Sequence, residues 1–598
     1  MPSYKAPVED SLFLLNDVFR IDRYANLPGF SDLSPDIIEA TLTEAAKLCE
    51  QVIAPLNRVG DVEGCTRHDD ASVTTPRGFR DAFRQLADGG WVGITSPTDF
   101  GGMGFPTVLG GVVSEFLASA NLAFWMYAGL TQGAIAAIID HGSADQKATY
   151  LPNMIAGKWT GTMNLTEPHC GTDLGMLRTK AKAQADGSHK ITGTKIFTSA
   201  GEHDMAENII HLVLARIEGA PAGVHGISLF IVPKFILDEN GAPDDRNQVS
   251  CGSIEHKMGI HGNSTCVMNY DDATGWLIGG ENRGLNAMFT MMNHARLGVG
   301  THGLAISEVA YQNAAAYAKE RLQGRSLTGA KFPEKPADPI IVHPDVRRSL
   351  MTIRALTQAA RALIVWTGLR HDIATRSDDE AARQAAEDHM GLLTPVVKGF
   401  CTDCGLVNAV MAQQMYGGHG YIAENGMEQF VRDARINQIY EGANGIQALD
   451  LVGRKLALNG GRALMAFFAE VDGYLTEKAG DEAMAPLIKP TRESLGHLQR
   501  ASGWLAKHGT ANPDDSGAGS YDYMQLFGLV AFAYMWCRMV EAATAKLPEA
   551  TSDQAGRLTT KLAIGLFYME RLLPDTAAHL ARIESGSAST MALPAEAF

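Results

Sequence analysis

The sequence has 598 residues, 45% hydrophobic and 20% charged, so it can bury a large core, is too long for one small domain, and is neither a disordered chain nor a disulfide-stapled mini-protein. Its 51 Lys and Arg against 67 Asp and Glu leave a formal net charge of −16. That excludes a broad electrostatic footprint for nucleic acid or an anionic membrane, and any anionic ligand must be met by a local site.

The opening segment, MPSYKAPVEDSLFLLNDVFRIDR, carries acidic residues and no long apolar stretch, so a signal peptide is not expected. Residues 1–34 read as an extension and 35–160 as a helical domain, with apolar residues at helical spacing from Pro35 to Val52. Phe116 to Ile139 is uncharged and long enough to cross a bilayer. Ser119, Asn121, Thr131 and Gln132 interrupt it, Gly129 and Gly133 break it, and Glu115 and Asp140 bound it without a basic flank; it reads as two buried helical pieces.

The texture changes at about 161. Arg178–Ala185, the turn Asp186-Gly187 and His189–Thr198 read as a hairpin, and Asn208–Arg216 and Gly226–Phe235 are further β-branched runs. Residues 161–290 are therefore expected to form a compact β domain. Helical periodicity returns for 291–456, apart from a loop around 323–345, and 457–598 adds an Ala- and Leu-rich helical region broken near 508–521 by an exposed loop or linker. The expected class is α+β, mostly helical. The eight cysteines are too sparse for a secreted framework and fit a reducing cytoplasm; Cys401 and Cys404, in an apolar stretch without a second pair, read as core cysteines rather than a metal site.

Gly298-Val-Gly300-Thr-His-Gly303 matches a dinucleotide fingerprint, but no buried strand precedes it, so helix packing through small residues is expected instead. The segment Thr160–Ala181 crowds Thr162, Asn164, Thr166, His169 and Thr172 around Glu167-Pro168. It is either an ordinary capped turn or a loop that binds a polar heterocycle through backbone N–H groups.

Six motifs in order, TEPHCGTD, ITGTKIFTSAGEHD, KMGIHGNSTCVMNYDDATGWLIG, KERLQGR, QMYGGHGY and RDARINQIYEGANGIQ, make residues 35–455 resemble the acyl-CoA dehydrogenase family. The resemblance implies a helical domain, a central β domain and a second helical domain, with 457–598 as an added C-terminal helical domain. It implies FAD as cofactor, an acyl-CoA substrate, an electron-transferring flavoprotein as acceptor, a homodimer, and a cytoplasmic enzyme with no membrane span. Glu441 occupies the position of the base that removes the α-proton, and its own amide and a flavin hydroxyl that of the donors to the thioester oxygen.

For FAD, the resemblance implies Leu165, Thr166, Thr172, Phe197 and Ser199, with Arg321, Gln414 and Gly418 reaching the flavin nucleotide of a neighbouring subunit. Phe197 stands where many members have Trp, which keeps a stacking surface and loses an N–H donor. For substrate it implies Thr172, Arg296, Tyr440 and Gly442, although Asn293-His294-Ala295 before Arg296 departs from the family's pattern. Ala443 and Gly445 also depart, and the flavin contacts of those positions must be absent or replaced. The expected substrate is a short acyl-CoA, first 3-methylmercaptopropionyl-CoA. Butyryl-CoA or another chain length, an oxidase, and a non-catalytic scaffold are the rival readings.

Overall fold

A computed structural model describes residues 2–598, which form two compact units. One comprises residues 44–105 and 116–298; the other holds the N-terminal segment to Thr43, Pro106–Glu115 and Val299–Phe598. The chain passes from the first to the second inside one 37-residue helix, Gly284–Glu320.

The first unit is built on seven strands: β1 (Trp159–Asn164), β2 (Lys180–Ala183), β3 (His189–Ser199), β4 (Asn208–Ile217), β5 (Ser228–Pro233), β6 (Val249–Ile254) and β7 (Thr265–Ile278). The expected hairpin is β2–β3, paired antiparallel with Ala183 opposite His189. β7 pairs with β3 over most of its length and with β5 at its end; β5 pairs with β4 and β4 with β2, so the pairings close a ring. β1 runs parallel to β4, from Trp159 opposite Asn208 to Asn164 opposite Val213. Trp159, Leu212, Ile231 and Met288 are buried with Ala134 and Ile138 of the Leu122–His141 helix in one apolar core.

The apolar stretch 116–139 does fall into two helices, but they divide at Asn121 and not at the glycines. Asn121 takes an extended conformation and its side chain accepts from the Phe124 N–H at 3.1 Å, capping the second helix, while Gly129 and Gly133 lie inside it. Three helices, Leu122–His141, Glu380–Met415 and Pro513–Glu549, are long and apolar enough to cross a bilayer. In each, most of the apolar window, 72%, 67% and 83% respectively, is buried in the protein.

The second unit is helical. Gly300 and Gly303 sit within the Gly284–Glu320 helix where it meets Glu380–Met415: a Cβ at Gly303 would collide with the Cys401 carbonyl, so the GxGxxG match is a helix contact. Cys401 and Cys404 are buried in the facing helix. The linker expected near 508–521 is not there. Helix Ala485–Ala511 is followed, after Asn512 alone, by helix Pro513–Lys546. Asn512 caps the second helix by accepting from the Asp514 N–H at 3.2 Å, Pro513 fits its first position, and the small residue Gly519 packs against Leu505 and Ile583.

This unit is tied together by a buried guanidinium. Arg361, with 1% of its side chain exposed, donates to Glu115 at 2.7–3.0 Å, Glu308 at 2.6 Å and Asp10 at 3.1 Å; Asp10 also pairs with Lys561 at 2.9 Å. Burial alone would raise the Asp10 carboxyl, but the Lys561 and Arg361 cations outweigh it and hold the group down at about 2. Removing one partner of such a set leaves uncompensated buried charge, which costs about 3–5 kcal/mol. Arg361→Met should therefore lower the unfolding free energy by about that amount in denaturant titration. Arg361→Met/Glu115→Leu should recover part of the loss. Because Asp10 is held below its ordinary 3.8, its contribution is complete above that pH and vanishes as the pH falls toward 2. Asp10→Asn should flatten the stability–pH curve across that interval.

Candidate active site

The sequence-predicted residues fall in both units. In the first, β1 ends at Asn164 and delivers the loop that begins with Leu165 and Thr166. The loop is fastened to the end of β3: Thr166 O accepts from Ile196 N at 2.9 Å, Thr162 Oγ1 donates to Ser199 O at 2.6 Å, and Thr198 Oγ1 donates to Asn164 Oδ1 at 3.1 Å. Leu165, Thr166, Phe197 and Ser199 are thereby brought together. Phe197 is 60% exposed and holds a left-handed backbone, φ 56°. Such a conformation is unusual for a bulky residue and is kept only where neighbours dictate it. Thr172 is exposed farther along the same loop, two residues after the Glu167–Cys170 bridge.

A buried ion pair, missed in the sequence, organises this loop. Lys195 of β3 donates to Glu167 Oε1 at 2.8 Å and to Leu165 O at 3.0 Å. Glu167 also accepts from the Arg178 and Thr179 N–H groups at 2.8 and 3.0 Å and from the Thr179 hydroxyl at 2.5 Å. Burial pulls the Lys195 ammonium down to about 8, with Glu167 opposing it; burial would raise Glu167, but Lys195 and the Thr179 and Arg178 donors hold it below its ordinary value. Glu167, His169 and Cys170 bring ligand-type atoms within 4.8 Å of one another, but these donors already occupy both Glu167 oxygens, so the cluster serves the loop. Arg296, half-buried on the Gly284–Glu320 helix, places its Nη1 3.4 Å from Asn293 Oδ1, so the residue that departs from the family's pattern is also its neighbour.

In the second unit, Glu441 is half-buried and, like Phe197, left-handed, with φ 57°, followed by Gly442 at φ 82°. Tyr440 precedes it. The Tyr440 hydroxyl donates to Asn437 Oδ1 at 2.9 Å, and with its single proton so used it accepts from His302 Nδ1 at 2.9 Å. Burial, then the Glu441 carboxylate, push the Tyr440 phenol up, so it remains a neutral donor; burial pushes His302 down to about 4, so it remains a neutral imidazole. Behind Glu441, Gln447 Nε2 reaches the carbonyls of Glu441 and Gly442 at 3.4 and 3.2 Å. Ala443 and Gly445 offer no side-chain polar group, and nothing lies within 4 Å of a Cβ built on Gly445.

Sequence reading missed His302 and Asn437. His302 lay in the GxGxxG segment set aside as packing, and the residue beside its glycines was the available signal. Arg321, Gln414 and Gly418 are exposed. Tyr317, one turn before Arg321, stacks on Tyr416 at 4.0 Å, which brings the end of the Gly284–Glu320 helix to the turn between Gln414 and Gly418.

Family models described as the acyl-CoA dehydrogenase N-terminal, middle and C-terminal domains match residues 38–158, 162–273 and 282–456, and one described as acetyl-CoA dehydrogenase C-terminal like matches 467–594. The 3-methylmercaptopropionyl-CoA dehydrogenase of Ruegeria pomeroyi is 42% identical over 97% of this chain and 98% of that protein. The broad-specificity linear acyl-CoA dehydrogenase FadE5 of Mycobacterium tuberculosis is 34% identical over 96% of each. The Bacillus anthracis acyl-CoA dehydrogenase, solved in complex with FAD, shares the fold at TM-score 0.73, with 22% identity over 96% of this chain and 91% of that one. With its whole body and its C-terminal region matched, this chain belongs to the acyl-CoA dehydrogenase family of FAD-dependent oxidoreductases acting on CH–CH bonds.

Proposed function

We propose that the enzyme introduces the α,β double bond of a short acyl-CoA, converting 3-methylmercaptopropionyl-CoA to 3-methylthioacryloyl-CoA in the breakdown of dimethylsulfoniopropionate-derived sulfur compounds. The observation that carries this choice is the 42% identity over 97% of the chain to an enzyme of that name, against 34% for the relative named for linear acyl chains.

The residues around the β1 loop suit a flavin. Exposed Phe197 offers a flat apolar face, half-buried Leu165 and Thr166 lie on the loop bonded beside it, Thr166 and Ser199 bring hydroxyls, exposed Thr172 follows farther along the loop, and the Glu167–Lys195 pair stiffens it. FAD bound there supplies the hydride acceptor that no side chain can provide. Arg321, Gln414 and Gly418 would hold the nucleotide end in a second protomer, which makes the working enzyme a homodimer. An electron-transferring flavoprotein would be the electron acceptor. The burial of the three apolar helices supports a protein without a membrane span, and the sparse, unpaired cysteines suit a reducing cytoplasm.

An α-proton beside a thioester is weakly acidic, so its removal needs a carboxylate held in place and donors where enolate charge grows. Glu441 is the proposed base and its backbone N–H a donor to the thioester oxygen. The bonded Tyr440 before it and Gln447 behind it support the left-handed turn that carries both groups. Thr172, Arg296, Tyr440 and Gly442 are the proposed substrate contacts.

Glu441→Gln keeps the shape and removes the base. It should leave flavin-loaded protein whose turnover falls about 10²–10⁴-fold, the usual worth of a positioned base, and near-normal turnover would place the base elsewhere. The substrate is tested by steady-state kinetics on a panel of acyl-CoA thioesters with an artificial electron acceptor. The methylthio compound should give the highest kcat/KM; a higher value for butyryl-CoA or a longer chain would overturn the assignment, and hydrogen peroxide formed in air would make the enzyme an oxidase.

A further inference from the structure

The segment that carries Glu441 is pinned on both sides to a single carboxylate oxygen. Asp403, on the Glu380–Met415 helix, accepts through Oδ1 from Gln438 Nε2 and from Asn444 Nδ2, each at 2.7 Å. Gln438 lies three residues before Glu441 and Asn444 three after, so Glu441 is the apex of a loop with both feet on one atom. Asn444 is held further, accepting from Lys398 Nζ at 2.8 Å and reaching Gly399 O at 3.0 Å.

The other oxygen faces the C-terminal region. Oδ2 accepts from the Tyr521 hydroxyl at 2.5 Å and from Gln525 Nε2 at 2.6 Å, residues one turn apart on the Pro513–Lys546 helix. The two helices meet closely nearby: a Cβ on Gly528 would collide with the Phe400 ring. A carboxylate has about four lone-pair sites, and here four donors occupy them, two from the loop of the base and two from the added helical region. Bonds to an ionised acceptor are stronger than neutral ones, so the arrangement fixes position as well as contact.

The geometry points to Asp403 as a positioning residue for the base, held in turn by Tyr521 and Gln525, so that the region beyond 457 sets the rate of proton removal. This rests on the reading of Glu441 as the base. Misplacing a reacting group by about 1 Å can cost about 10²-fold, while substrate affinity need not change.

Tyr521→Phe/Gln525→Met strips both donors from Oδ2 without touching the loop. In the full-length, flavin-loaded enzyme its kcat should fall about 10- to 100-fold, with KM nearly unchanged and a larger isotope effect on α-deuterated thioester. Asp403→Asn, which sets an amide against two donors, should do the same. If the double variant is too unstable to purify, Tyr521→Phe alone, at an exposed position, should show the same enlarged isotope effect with a smaller loss of kcat. A lowered melting temperature with unchanged kcat per flavin and unchanged isotope effect would reduce the contact to packing and overturn the inference. Glu441→Gln, with all four bonds intact, separates the two ideas: full activity there sinks the base assignment, whereas an inactive Glu441→Gln beside a fully active double variant sinks the positioning role alone.

Discussion

Arg361 is the point on which the helical unit turns. Its guanidinium lies in the Pro344–Arg376 helix, and its partners come from the N-terminal segment, the Thr107–Ala120 helix and the Gly284–Glu320 helix, with the C-terminal region joined through Lys561 and Asp10. Taking these charges out of water is costly, and their mutual attraction repays it only with good geometry. Glu115 makes the two-pronged contact that a guanidinium fork favours. The set is therefore intolerant of losing any one member. It follows that neither the first 34 residues nor the last 140 or so can be regarded as appendages.

That constraint is invisible in the sequence, because the five residues are separated by up to hundreds of positions and each alone resembles a solvated charge. What was legible is what local chemistry specifies. The β2–β3 hairpin follows from Asp186-Gly187 between alternating runs, and the buried Cys401 and Cys404 follow from an apolar helical stretch. The errors share a cause. Gly, Ser, Asn and Pro near 508–521 suggest a loop because those residues favour turns, yet Pro513 and Asn512 start a helix and Gly519 allows another to approach. Gly129 and Gly133 were read as breaks while Asn121, which can hydrogen-bond the first free N–H groups, made the real one.

The candidate site shows the same division. Glu441 and the TEPHCGTD loop stand out as motifs, but nothing in the letters reveals that Phe197 and Glu441 are both left-handed. Each is carried by a local bonded frame: Phe197 by the Ile196–Thr166 and Ser199–Thr162 bonds, Glu441 by Tyr440 before it and Gln447 after. Strain of this kind persists only where its surroundings over-determine it. Those surroundings are long-range pairs: Lys195 with Glu167, and His302 with Tyr440.

The net charge of −16 takes on a more specific meaning beside these pairs. Acidic groups are not spread merely to keep the protein soluble. Glu115, Glu167, Glu308 and Asp403 are spent inside the fold, each joined to donors from distant segments, and in Asp403 four of those donors are neutral. A neutral donor set leaves the carboxylate its charge while removing its freedom to turn. Two carboxylates stand within this region: Asp403 accepts four bonds, and Glu441, three residues from each foot of the loop, is partly exposed. A base must reach its proton, so for the proposed base a loop with both feet on a neighbouring carboxylate reconciles placement of the backbone with a side chain that is partly open to solvent.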